Sequence, residues 1–85
     1  MPHAAKPLRP LDVEAVKVLQ KMIDTSGVSR ARIAIAAGIG HNRSGRIFRF
    51  ESPGMTLGEM DALAVALGSS CGEVLSLAEA RLCAS

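Results

Sequence analysis

An all-α domain of five short helices is the fold this chain predicts, and three observations carry it. Apolar residues recur at three- and four-residue spacing, as one buried helix face requires. Threonine or serine stands three residues before glutamate at two places, Thr56 with Glu59 and Ser70 with Glu73, the signature of a capping box at a helix start. Alanine, leucine, valine and isoleucine dominate an apolar content of 48%, with Phe48 and Phe50 the only aromatic residues, which favours close helix packing. A length of 85 residues makes one small domain and leaves no room for a second core.

Residues 1–11 carry Pro2, Pro7 and Pro10 with Lys6 and Arg9, a composition that resists regular structure and suggests a flexible basic arm. Asp12 offers an N-cap for a first helix over 12–24. There Ala15, Val16, Leu19, Met22 and Ile23 share one side, with Glu14, Lys17, Lys21 and Asp24 opposite. Gly27 ends it. Ser29 caps a short second helix through Ala37, closed by Gly38, where a left-handed turn is wanted. A third helix is expected from Gly40 or His41 to about Phe50, stopped by Ser52-Pro53-Gly54. On its wheel Asn42, Arg46 and Arg49 fall on one side, and Ser44, Ile47 and Phe48 on the other. The fourth helix starts from Thr56, with Leu57, Met60, Leu63, Ala64 and Leu67 on one stripe and Gly68 as its end. The fifth starts from Ser70 and buries Cys71, Val74, Leu75, Ala78 and Leu82, reaching Leu82 or Cys83.

Charge is unevenly placed on this frame. The chain has ten Lys+Arg against eight Asp+Glu, yet Thr25 to Phe50 holds no acid and five arginines: Arg30, Arg32, Arg43, Arg46 and Arg49. A cationic surface on a nearly balanced molecule points to an anionic partner, nucleic acid first. Two phenylalanines leave little to stack on bases, which argues against RNA-recognition sheets and single-strand platforms. No nucleophile, base and orienting acid occur together, and there is no glycine-rich phosphate loop or Cys-x-x-Cys pair. The two histidines and two cysteines lack zinc spacing, so no enzyme activity, metal or cofactor is expected. Cys71 and Cys83 read as free thiols in a reducing cytoplasm, given no recognisable leader, and no apolar run approaches the roughly 18 to 20 residues that cross a bilayer.

Two stretches carry a family resemblance. Val28-Ser-Arg-Ala-Arg-Ile-Ala-Ile-Ala-Ala-Gly-Ile-Gly-His-Asn-Arg-Ser-Gly-Arg-Ile-Phe48 and Thr56-Leu-Gly-Glu-Met-Asp-Ala-Leu-Ala-Val-Ala-Leu-Gly68 resemble the helix-turn-helix core of the lambda-repressor-like (Cro/repressor, XRE-type) DNA-binding family, over about residues 12 to 80. The strongest part is Ala34-Ile35-Ala36-Ala37-Gly38-Ile39-Gly40, followed by Gly45-Arg46-Ile47-Phe48. The resemblance implies a compact five-helix domain in which the second and third helices form the helix-turn-helix. The third helix would lie in the major groove and the second would cross the backbone.

On that footing the candidate DNA contacts are Arg30, Arg32, His41, Asn42, Arg43, Ser44, Arg46 and Arg49. Asn42 suits adenine, Arg43 or Arg46 suits guanine, and Arg30, Arg32 and Arg49 suit phosphate. His41 serves either as a base or phosphate contact or as a local helix cap. Family members often carry glutamine at the first contact position of both helices, whereas this chain has Arg30 and His41, so no operator can be carried over. Gly45 is expected where helix 2 or DNA approaches closely, and Ile35 lies where relatives are usually polar. The family's habit of binding as dimers implies a homodimer, with helix 5 as the seam through Leu75, Leu77 and Leu82. The expected function is that of a sequence-specific transcriptional regulator in the cytoplasm, a repressor of phage or mobile-element type. The alternatives are an antitoxin-like module with a protein partner and a sequence-blind nucleoid protein.

Overall fold

The computed structural model describes residues 7–84 and shows five helices: α1 (Pro10–Ser26), α2 (Arg30–Ala37), α3 (His41–Phe48), α4 (Leu57–Ala66) and α5 (Cys71–Ala84), with no strand among the described residues. The all-helical, five-element expectation holds. The differences lie at the helix ends, and each has a local cause.

Helix α1 begins at Pro10, not at residue 12. Proline at a first helical position loses nothing, because its missing N–H would have no intrahelical partner there. Asp12 is therefore inside the first turn, not the N-cap, and its carboxylate accepts the Arg9 backbone N–H at 2.9 Å. This corrects the arm expected over 1–11: Pro10 and Leu11 are helical, and Leu8 is half-buried beside Gly54. The remainder of that expectation, residues 1–6, lies outside the described residues. At the other end α1 runs on to Ser26, whose hydroxyl donates to the Ile23 carbonyl at 2.7 Å before Gly27 turns the chain.

Helix α2 matches expectation. The Ser29 hydroxyl accepts the Arg32 N–H at 3.3 Å, and Gly38 closes the helix at φ 73°, a left-handed conformation that a Cβ would disfavour. Helix α3 ends two residues early. Phe50 adopts φ 60°, and the chain reverses as the Glu51 N–H donates to the Arg46 carbonyl at 3.0 Å and the Phe50 N–H to that of Ile47 at 3.1 Å. The stop is thus a left-handed phenylalanine, ahead of Ser52-Pro53-Gly54.

The Thr56–Glu59 box forms as expected, the Thr56 hydroxyl accepting the Glu59 N–H at 3.0 Å and the Glu59 carboxylate accepting the Thr56 N–H at 2.9 Å. At α5 the Ser70 hydroxyl accepts the Glu73 N–H at 3.1 Å, while the Glu73 carboxylate accepts the Ser69 hydroxyl at 2.8 Å.

The core gathers where α1 lies along α5 and α2 along α4, with Leu19, Leu63 and Val74 fully buried at its centre. Ile47 and Phe48 seal α3 onto it. Arg81 pairs with Glu14 at 2.9 Å and ties α5 to α1, so the one base of the C-terminal helix has a structural partner. Leu57 departs from the expected stripe: at the first position of α4 it precedes the turn that packs and is 70% exposed. Cys71 and Cys83 are both free. Twelve residues apart on one helix, they stand about 18 Å from each other, too far to pair within the chain.

Shortening Leu63 should expose the difference between the two ends of α4. Leu63→Ala is expected to cost about 2–5 kcal/mol of unfolding free energy and Leu57→Ala less than about 0.5 kcal/mol, read by urea denaturation followed by circular dichroism.

Candidate nucleic-acid interface

The turn Gly38–Gly40 sets α3 beside α2, and the wheel of α3 then decides what faces out. Ser44, Ile47 and Phe48 are buried at 6%, 3% and 4% exposure, so the opposite face must be solvent-facing. His41, Asn42, Arg46 and Arg49 occupy that side and, with Arg30 and Ala31 from α2, line a shallow open depression whose floor is Ser44 and Gly45.

Each side chain is held differently. The Arg30 guanidinium lies 5.3 Å from the Phe48 ring centroid, a cation–π contact that fixes its charge at the rim. The Gln20 amide of α1 donates to the Phe48 carbonyl at 3.2 Å and anchors the same end of α3 from behind. His41 and Asn42 are exposed in the first turn; the N-cap is Gly40, so His41 does not take the local capping role. Arg32 is exposed on the outer side of α2 but does not line the depression. Ser44 is a correction: at 6% exposure it lies on the packed side of α3, where the wheel puts it, and reaches the depression only as part of its floor.

Arg43 is the larger correction. Proposed from the sequence as a base reader, it turns away from the depression and spends its guanidinium inside the protein. Nε and Nη2 donate to the two Glu59 carboxylate oxygens, each at 2.8 Å, while Nη1 donates to the Pro53 carbonyl at 2.9 Å and Nη2 to that of Gly54 at 3.0 Å. The pair is half-buried, and the Arg43 hydrogen bonds hold the Glu59 carboxyl down to about 2 from an ordinary 4.5, outweighing the upward pull of burial. The same pairing raises Arg43 above its ordinary value.

A carboxylate also stands at the arginine face. Glu51, the first residue beyond the acid-free stretch, is brought back by the left-handed Phe50. Its carboxylate takes Arg49 Nε at 2.6 Å and lies 3.7 Å from Arg46 Nε. The hydrogen bond from Arg49 holds its carboxyl below the ordinary range. Arg46 also donates to the Ser52 carbonyl at 3.3 Å. At Gly45 the nearest atom to a Cβ would be Arg49 Nη1 at 2.8 Å, the mobile end of an exposed side chain, and no atom of α2 comes closer than 3.8 Å, so the close approach of helix 2 expected there is not found.

Sequence reasoning missed Glu51 and the second role of Glu59. The first had a signal, its position directly after Phe50; the second had none, because Arg43 and Glu59 are brought together only by the α3–α4 connection. Of the residues expected at a helix-5 seam, Leu77 is 43% exposed and lines an apolar groove between α1 and α5 with Val18, Met22, Leu67 and Ala80. Leu75 and Leu82 are half-buried and lie outside that groove. Among the described residues no group of histidine, cysteine and acidic side chains is placed to hold a metal ion.

No family model matches the chain, and no curated protein or solved structure matches it.

Chemically, the depression offers three guanidiniums, an imidazole and a carboxamide to a convex anionic object, against one carboxylate. Because the folded Glu59 titrates lower than the unfolded chain, its ion pair stabilises the fold above the ordinary carboxylate value and loses that effect as pH falls from about 4.5 toward 2. Glu59→Gln should therefore cost about 1–3 kcal/mol at neutral pH, and the gap to the natural protein should close on acidification, measured as chemical denaturation against pH.

Proposed function

We propose that the chain is a sequence-specific double-stranded DNA-binding regulator of the lambda-repressor-like kind, in which α2 and α3 form a helix-turn-helix and α3 enters the major groove. The observation that carries the reading is the division of α3 itself: eight residues sealed to the core by Ile47 and Phe48, with Asn42, Arg46 and Arg49 on the free side and Arg30 set beside them on α2. A major groove admits one α-helix, and its bases are read by side chains from one face. The resemblance over residues 28–48 and 56–68 gives the same assignment.

Roles follow from how each side chain is held. Asn42, exposed in the first turn, suits a two-point contact to adenine, and Arg46, held only by long contacts, suits guanine O6 and N7. His41 sits at the helix start for base or phosphate. Arg30, Arg32 and Arg49 serve phosphate. Arg43 leaves the contact set and becomes the residue that holds α3 in place. Such a domain acts by occupying an operator as a repressor in the cytoplasm, without a cofactor or a chemical step.

Selection of bound sequences from random duplex DNA tests this. The natural protein should enrich a motif. Arg46→Ala should relax preference at one position at a cost of about 1–3 kcal/mol, and Arg49→Ala should weaken all sequences alike and lower the salt slope by about 1. Binding without any enriched motif would leave a sequence-blind duplex binder and sink the regulator.

A homodimer on DNA completes the reading, because one domain makes few base contacts and two half-sites a helical turn apart double them. The groove holding Leu77 is the seam we assign to it. Sedimentation on a selected site should give two chains per duplex, and Leu77→Lys should reduce this to one.

A further inference from the structure

Glu51 has no place among groups that bind an anion, yet it is held at the centre of the arginine face. Three features put it there. Phe50 in the left-handed region reverses the chain, and the Glu51 N–H is pinned to the Arg46 carbonyl at 3.0 Å. Arg49 lies back over α3 at Gly45, its Nη1 2.8 Å from where a Cβ would stand. The two carboxylate oxygens then divide between the two arginines, one oxygen to Arg49 at 2.6 Å and the other toward Arg46 at 3.7 Å. This is the arrangement that two oxygens of a backbone phosphate would adopt between the same guanidiniums.

We propose that Glu51 is an intramolecular counter-ion that occupies Arg46 and Arg49 until a duplex displaces it, so that it sets the affinity of this face for DNA. The inference rests on the duplex-binding reading above. The pair is built to exchange: the side chains of Arg46, Arg49 and Glu51 are 51%, 62% and 45% exposed, and ion pairs this open to water are weak. Glu59 differs, since its grip on Arg43 is half-buried and also caps a helix. A duplex arriving at the face therefore draws Arg49 to a phosphate and Arg46 to a base edge, away from Glu51, and leaves Arg43 where it is. The displaced carboxylate stays beside the DNA backbone and subtracts from the charge that neutralises it. That repulsion is the same for every sequence, so Glu51 acts mainly on strength and salt dependence, while Asn42 and Arg46 govern preference.

The test compares Glu51→Gln with Glu79→Gln, which removes the same charge from the exposed surface of α5. Each is titrated with a random-sequence duplex from about 50 to 300 mM salt and eluted from heparin, with circular dichroism confirming the fold. Glu51→Gln should bind the duplex about three- to fivefold tighter near 0.1 M salt and steepen the log–log salt slope by about 0.9, while Glu79→Gln changes affinity less than about 1.5-fold. Most of the gain should disappear when Arg46→Ala and Arg49→Ala are combined with Glu51→Gln, leaving only the part owed to repulsion between the carboxylate and the backbone. Equal behaviour of the two glutamine variants on duplex and heparin would overturn the proposal and leave duplex binding intact. If no variant binds duplex but Glu51→Gln alone elutes later from heparin, the counter-ion stands and the duplex reading fails.

Discussion

One carboxylate, that of Glu59, holds the arrangement together. It closes the first turn of α4 by accepting the Thr56 N–H, and it receives two hydrogen bonds from Arg43 at the start of α3. The remaining Arg43 donors go to the carbonyls of Pro53 and Gly54, in the connection between the two helices. A single guanidinium thus satisfies backbone acceptors of a non-helical segment and joins two helix starts. Arginine suits the task because its planar fork has donors for a carboxylate and for flanking carbonyls at once; lysine offers one rotating point. Since α3 is only eight residues long, packing of Ile47 and Phe48 alone would leave its N-terminal end free to swing. The clamp supplies the missing constraint, and the outward side chains inherit their direction from it.

From this constraint the character of the outer face follows. With Arg43 used for structure, the exposed charge on α3 reduces to Arg46 and Arg49, joined by Arg30 on its aromatic support. An arginine held over a ring, as Arg30 is over Phe48, loses little freedom when it meets a partner, because its stem is already placed. Gly45 weakens α3 by about 1 kcal/mol in helix propensity, so the short helix leans all the more on the Arg43 clamp and on Ile47 and Phe48.

Most of the fold was legible because its signals are local. The Ser29 cap, the Thr56–Glu59 box, the glycine after α2 and the apolar spacing through Leu63 and Val74 each act within a turn or two, and each is found where the sequence puts it. What escaped depended on the chain folding back. Pro10 read as a breaker because its favourable use at a first helical position depends on where the helix starts. Ser44 could be assigned either to the packed face by its wheel position or to the contact set by its place in a motif, and burial decided for packing. Arg43 could not be separated from Arg46 by type or spacing, since only the route of residues 49–56 brings Glu59 to one and not the other.

The acid-free stretch from Thr25 to Phe50 is a fact about the sequence that the fold partly undoes. A phenylalanine in a conformation usually left to glycine costs about 1 kcal/mol, and here it turns the chain so that the next residue, an acid, faces the arginines it follows. A turn placed one residue later would send Glu51 elsewhere and leave a more cationic face. Stronger attraction to every polyanion is a poor property for a surface meant to choose among sequences, because phosphate contact is shared by right and wrong sites. In the proposed role, an acid held against two arginines would lower that shared attraction while leaving Asn42 and the free edge of Arg46 to meet bases. The value of the arginine cluster in the proposed role lies less in its total charge than in how much of it is already answered from within.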